Sequence, residues 1–359
     1  MKILKNLAKN TSKIFFLSII ALTGLISCSK NAEKSGNKSS GQNKISVVAT
    51  TFPCYDAVRA ISGDFLNSCI NLKLLVKPGM EVHSYDPSPA DIISIQKSDL
   101  FVYVGGESDE WIEKILNTSS NELKCQTVEL IHFVNTLEEP EFDQKDSEEN
   151  DKDSNPEADQ LSQHEMDAHS HHSHSENIHE KDEHIWTSPE NEIIIVRAVC
   201  TYLQQVAMKK GLSDITSKLD ENAENYCSQI EEVARKTEEI IQSKSEKFLI
   251  MADRFPFTYF ANYYGLEFDA AFSGCSTAVE ASTATISRLI DTVKEKELPA
   301  VFYIELGNHK IADSIAESTK TKALLLESCQ NVTKNNFQKG ESWVTLMTKN
   351  AETLNIGLR

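Results

Sequence analysis

Residues 214–244 contain neither glycine nor proline, and that run constrains the fold more than any other part of the chain. Ile215, Leu219, Tyr226, Ile230, Val233, Thr237 and the Ile240/Ile241 pair recur every three or four positions, the period of one helix face. A helix of about 30 residues is about 45 Å long, enough to run along two lobes as a stiff backbone. The plainer alternative is an ordinary surface helix. Before this run, apolar stretches at 44–50, 72–76 and 100–104 alternate with helical segments at 53–61, 89–96 and 110–116, and a helix at 191–210 follows. After it, apolar stretches at 248–252, 266–272, 301–306 and 323–326 alternate with helices at 257–264, 281–295, 309–318 and 340–354. Such alternation predicts an α/β fold with mainly parallel sheets. The expected architecture is two similar α/β lobes, residues 44–213 and 246–359, joined by one long rigid helix at 214–245. A cleft then lies between the lobes.

The start of the chain sets the compartment. Lys2, Lys5, Lys9 and Lys13 precede an apolar run at 14–26. At about 13 residues it is short for a membrane span and suits the core of a secretory signal. It ends Leu25-Ile26-Ser27-Cys28, as in a bacterial lipobox. The expectation is a signal peptide at 1–27, a lipidated Cys28 and a flexible tether at 28–43 rich in Ser, Gly, Lys and Asn. A plain cleaved signal with an incidental Cys28 is the other reading. Two or more acyl chains suffice for anchoring, so the protein is expected to be exported and lipid-anchored on the outer face of the cytoplasmic membrane or in the periplasm.

The net charge is −18, much of it between 138 and 183. An acidic surface argues against nucleic acid and favours cations. Within 138–181 lie six histidines, His164, His169, His171, His172, His174 and His179, among Asp, Glu and Ser. With so little to bury, this segment reads as a disordered insert. A short likeness to a calcium-binding loop at 151–162 fails, because Pro156 stands where Gly is required and Ser162 where a bidentate Glu belongs. The insert runs into Asp182-Glu183-His184-Ile185-Trp186, where two apolar residues carry His184 into packed structure. Neutral imidazole is a common metal ligand, so the pattern suggests a collector feeding a fixed metal site. The bland alternative is a solvated acidic loop.

Eight cysteines are present. None forms a CxxC pair, which argues against a thiolate zinc cluster. With Cys28 lipidated, seven remain, and Cys54–Cys69 and Cys275–Cys329 are candidate bridges that sequence cannot assign. His83 falls on a strand-to-helix loop, where ligands of parallel α/β sheets bind. His83, His184 and a carboxylate would make an N,N,O set suited to zinc and tolerated by manganese. Alternatively, His83 bonds to Asp86 and His184 merely packs on Trp186.

Several stretches together resemble the zinc/manganese solute-binding lipoproteins of bacterial ABC importers. They are Lys77-Pro78-Gly79-Met80-Glu81-Val82-His83-Ser84-Tyr85-Asp86-Pro87-Ser88-Pro89, Asp99-Leu100-Phe101-Val102-Tyr103-Val104-Gly105, Glu110-Trp111 and Glu183-His184-Ile185-Trp186. The helix carrying Asn222 and Tyr226, Tyr259-Phe260 with Tyr263-Tyr264-Gly265-Leu266, the run 301–305, Glu327-Ser328, and Leu346-Met347 with Asn350 continue the match. It covers nearly everything after the tether. The resemblance implies a single metal in the cleft between the two lobes, held by side chains from both. His83 and His184 match its first-lobe ligands, and Glu327 matches an acidic second-lobe ligand. The family's third position falls on Arg254, which has no lone pair to offer a metal. Either the site has fewer protein ligands, or Asp253, Glu305 or Cys275 substitutes. Glu305 joins His83, His184 and Glu327 as a candidate ligand; the alternatives are a helix-capping Glu327 and a Glu305 paired with Arg254.

The implied function is capture of Zn2+, or Mn2+, and delivery to an ABC importer's permease and ATPase by a monomer held to the membrane through its lipid anchor. A surface adhesin of the same fold is an alternative. A zinc hydrolase is a remote one, since the chain carries no HExxH, Gly-x-Ser-x-Gly or glycine-rich phosphate loop.

Overall fold

The computed structural model describes residues 44–118, 125–142, 181–276 and 280–359. Cys28, the signal segment, the tether and the six-histidine tract lie outside the described residues.

The first lobe opens with β1 (Ile45–Ala49), α1 (Phe52–Ser62), β2 (Ile70–Leu74), α2 (Pro89–Lys97), β3 (Leu100–Tyr103), α3 (Glu110–Thr118) and β4 (Gln126–Glu129). All pairings are parallel and the strand order is β2-β1-β3-β4. The start of α2 is written locally. Ser88 accepts from the Asp91 amide, the Asp91 carboxylate accepts from the Ser88 amide, and Pro89 takes the first turn, where its missing N–H costs nothing. β2 starts and ends two residues earlier than the 72–76 run predicts. β4 went unforeseen because only Val128 of its residues is buried.

After α4 (Pro189–Lys209) comes α5 (Thr216–Gln242), 27 residues or about 40 Å. It is shorter than the 214–245 expected from pattern: residues 213–215 form a 3-10 turn and the helix stops at Ser243. Its buried face, Leu219, Ala223, Tyr226, Ile230, Val233, Thr237 and Ile241, packs on α1 and α4. The second lobe follows as β5 (Phe248–Phe255), α6 (Thr258–Tyr264), β6 (Glu267–Ser273), α7 (Thr283–Glu295), β7 (Ala300–Ile304), α8 (Lys310–Thr319), β8 (Lys322–Leu326), α9 (Lys334–Gln338) and α10 (Trp343–Gly357). Its parallel sheet has the order β6-β5-β7-β8, so the lobes repeat one topology. α10 packs on α5 from the second lobe.

The lobes are welded on the α5 side. Asp56 of α1 is fully buried and accepts from the Tyr226 hydroxyl of α5 at 2.6 Å and the Trp343 amide of α10 at 2.7 Å. The Trp186 indole donates to the Ser328 carbonyl at 2.8 Å, and the Trp343 indole donates to the Trp186 carbonyl at 2.8 Å. One hydrophobic core runs from Ile45 and Val102 through Tyr226 to Phe302 and Leu354.

Two expectations are corrected. All seven described cysteines are free, so neither the Cys54–Cys69 nor the Cys275–Cys329 bridge forms. Cys54 instead lies in the core, where burial pushes its thiol up to about 12 although Thr51 donates to it. The expected insert at 138–181 also does not begin at 138. Glu138 bridges Lys181, the Ser273 hydroxyl donates to the Pro140 carbonyl at 3.0 Å, and Phe142 sits against Phe255 and Phe268. The acidic run 138–141 disguised this anchorage. Among the described residues no helix is long and apolar enough to cross a membrane.

Candidate metal centre

His83 follows the turn Lys77-Pro78-Gly79, which uses a left-handed Gly79 (φ 83°). The loop after β8 holds this turn: Asn331 donates to the Lys77 and Met80 carbonyls, each at 2.9 Å. The Gln330 amide lies 3.1 Å from His83 Nε2 and the Ser108 hydroxyl 2.9 Å from Nδ1. Ser108 in turn donates to Glu183 Oε1 at 2.6 Å. These contacts assign the tautomer: Nδ1–H donates to Ser108 and the Nε2 lone pair accepts from Gln330. Burial, and then the neighbouring His184, push the His83 pKa down to about 4, so the ring is neutral, and a metal at Nε2 would take the place of the Gln330 amide. His83 does not bond to Asp86.

His184 sits in a turn whose geometry Asp182 dictates. Asp182 Oδ1 accepts from the His184 amide at 2.7 Å and lies 2.8 Å from Nδ1. Tyr259 of α6 donates to the Asp182 carbonyl at 2.7 Å, so the second lobe braces the turn. A carboxylate on one imidazole nitrogen leaves the other's lone pair free and fixes the ring, the arrangement that orients metal-binding histidines. Nε2 is buried with no hydrogen-bond partner. Burial opposes charging this ring, but the Asp182 carboxylate outweighs it and raises the pKa. His184 does pack on Trp186, with ring centroids 5.4 Å apart, and that packing is compatible with ligation.

Glu183 and Cys275 complete the cluster. One ligand atom each of His83, Glu183, His184 and Cys275 lie within 4.8 Å of one another. Zinc bonds of about 2.0–2.3 Å would require these atoms to draw in by about 1 Å. Two glycines permit the approach. A Cβ on Gly106 would meet Glu183 Cβ at 2.8 Å, and one on Gly274 would meet His184 Cε1 and the Phe255 carbonyl at 3.0 Å. The Cys275 amide donates to Glu139 Oε1 at 2.6 Å. Burial and the Glu183, Glu139 and Asp182 carboxylates push the Cys275 thiol well up.

The other candidates lie outside this group. Both Glu305 oxygens accept from Ser328, from its amide and hydroxyl at 2.6 Å each, and burial pushes its pKa up to about 8. Glu327 Oε1 accepts from Asn336 at 3.0 Å, while Oε2 is buried without a partner. Neither belongs to the four-residue group. Arg254 pairs with Glu81, not Glu305, at 2.7 Å. Asp253 accepts from the Arg254 and Ile304 amides. Of the three substitutes open from sequence, the structure brings Cys275 to the histidines. Glu183 was missed, although its position next to His184 was a usable signal. A cavity of about 350 Å³ opens beside His83, lined by Glu81, Asp253, Arg254, Leu306 and Ile311.

Residues 47–357 match the family model for the periplasmic component A of zinc-uptake complexes, ZnuA. The zinc-binding lipoprotein AdcA of Streptococcus pneumoniae R6 is 26% identical over 334 residues, which is 92% of this chain and 58% of that protein. This chain therefore spans little more than half the length of that relative. The high-affinity zinc uptake system protein ZnuA of Bacillus subtilis is 25% identical, with 96% of this chain and 97% of that protein covered. Among solved structures, the Zn(II)-bound ZnuA-like domain of S. pneumoniae AdcA superposes with a TM-score of 0.65 at 22% identity, covering 88% of this chain and 99% of that one. That likeness shows the same fold.

Proposed function

Because this chain belongs to the family of the periplasmic component A of zinc-uptake complexes, we propose that it is the zinc receptor of an ABC importer. It captures one Zn2+ and delivers it to the permease, whose ATPase drives passage, while a lipid on Cys28 holds it to the membrane. His83, His184 and Glu183 supply the N,N,O donors. Glu305 and Glu327, in this reading, stabilise the second lobe through Ser328 and Asn336. One observation carries the proposal: His184 Nε2 is buried and unpartnered, with its lone pair freed by Asp182 and three further donors gathered around it. A buried polar atom without a partner is costly, and a bound cation removes that cost.

The reading is tested on the full chain by calorimetry and elemental analysis after dialysis. One tightly retained zinc per chain is expected. No retained zinc, or manganese retained in preference to it, overturns the proposal.

Protons should compete for the site. His184 binds metal only with Nε2 deprotonated, and its raised pKa keeps more of it protonated as pH falls below neutral. Each proton that must leave costs about tenfold in affinity per pH unit below that pKa. His83, with its pKa near 4, stays neutral and adds nothing in this window. Zinc affinity should thus fall steadily from about pH 7.5 to 5.5, and a flat profile would count against His184 as a ligand.

A further inference from the structure

We propose that Cys275 is the fourth ligand, contributed by the second lobe, and that its sulfur sets the preference for zinc over manganese; this rests on the zinc-receptor reading above. The turn after β6 is built to deliver this side chain. Gly274 lets the turn press against the His184 ring, since any Cβ there would meet Cε1 and the Phe255 carbonyl at 3.0 Å. The Cys275 amide is pinned by Glu139 at 2.6 Å. The second, independent observation is the fully buried His184 Nε2, which has no partner and lies in the same four-atom group as the sulfur.

Selectivity follows from which donors folding brings together. Manganese favours oxygen-rich sites, whereas zinc accepts thiolate at about 2.3 Å and is content with four ligands. The other carboxylates nearby lie outside the four-atom group and hold partners of their own. Glu81 is held by Arg254, Glu305 by Ser328, Asp253 by two backbone amides, and Glu139 by the Cys275 amide. The four-atom group itself holds two imidazoles, one carboxylate and one sulfur, and its carboxylate, Glu183, also accepts from the Ser108 amide and hydroxyl. On binding, the Cys275 S–H bond breaks, the sulfur lone pair forms the metal–sulfur bond, and the proton leaves to solvent. The second lobe thereby holds the metal through a residue on a turn rather than through a strand-end carboxylate.

The test loads the full chain with Co2+ as a spectroscopic substitute for zinc. An intense near-ultraviolet thiolate-to-cobalt charge-transfer band is expected in the wild type and in a Cys69→Ser control, and is lost in Cys275→Ser. The ratio of zinc to manganese affinity should shrink in Cys275→Ser by on the order of 10- to 100-fold. A measurement free of any variant guards against misfolding: zinc should protect Cys275 of the wild type from alkylation, read by peptide mass spectrometry. One tight zinc bound with no charge-transfer band and Cys275 still alkylated overturns this inference while leaving the receptor reading in place. Absence of any tight zinc overturns both.

Discussion

His184→Ala is expected to abolish tight zinc binding, lowering affinity by well over 100-fold, since loss of a group that only orients a ligand already costs about 10- to 100-fold. The size follows from how completely the ring is specified. It is fully buried, Asp182 fixes Nδ1, and Nε2 has nothing else to bond. Alanine leaves a hole between Asp182 and the cluster and removes the buried nitrogen that has no other partner. Calorimetric titration of the full chain reads the effect, and a melting curve of the metal-free variant confirms that it folds. Retention of wild-type affinity by a folded His184→Ala protein would move the site elsewhere.

The second large effect concerns stability. Trp343→Ala should lower the melting temperature by on the order of 10 °C, from a loss of about 3–5 kcal/mol for a large aromatic side chain. Trp343 is fully buried, and its indole donates to the Trp186 carbonyl. Truncation leaves a cavity and an unpaired carbonyl two residues from His184. Trp343→Phe retains much of the volume and loses only the donor, so it should cost less, about 1–3 kcal/mol. Differential scanning calorimetry of the metal-free proteins separates these cases. A Trp343→Ala protein melting within about 2 °C of wild type would show that the lobe junction is not held there.

Much of the fold was legible because its signals are local. The buried face of α5 coincides with the three-and-four spacing of Leu219, Tyr226, Ile230 and Ile241. Helix α2 announced itself through Ser88 and Pro89. Elements without such signals were missed. β4 buries a single side chain, and the five-residue α9 is too short for a period to emerge. The root of the insert misled because Glu138, Glu139 and Glu141 look solvated, whereas Phe142 and the Glu138–Lys181 bridge tie it down.

By itself, the sequence determined the two-lobed α/β class and its long connecting helix, and it singled out His83 and His184 as candidate ligands. Periodicity, caps and strand-end loops act over a few residues, and Ile185 and Trp186 showed that His184 enters packed structure. Only the tertiary structure decided which side chains lie beside those histidines. Asp253, Glu305, Glu327 and Cys275 are comparable candidates by sequence alone, and Glu183 is marked there only by its place next to His184. The outcome depends on where folding places each side chain: His83, Glu183, His184 and Cys275 come within 4.8 Å of one another, while Glu81 pairs with Arg254, Glu305 with Ser328 and Glu327 with Asn336. Those hydrogen bonds form between residues that folding brings together. The unpaired, fully buried His184 Nε2 is the atom in that group with most to gain from a cation.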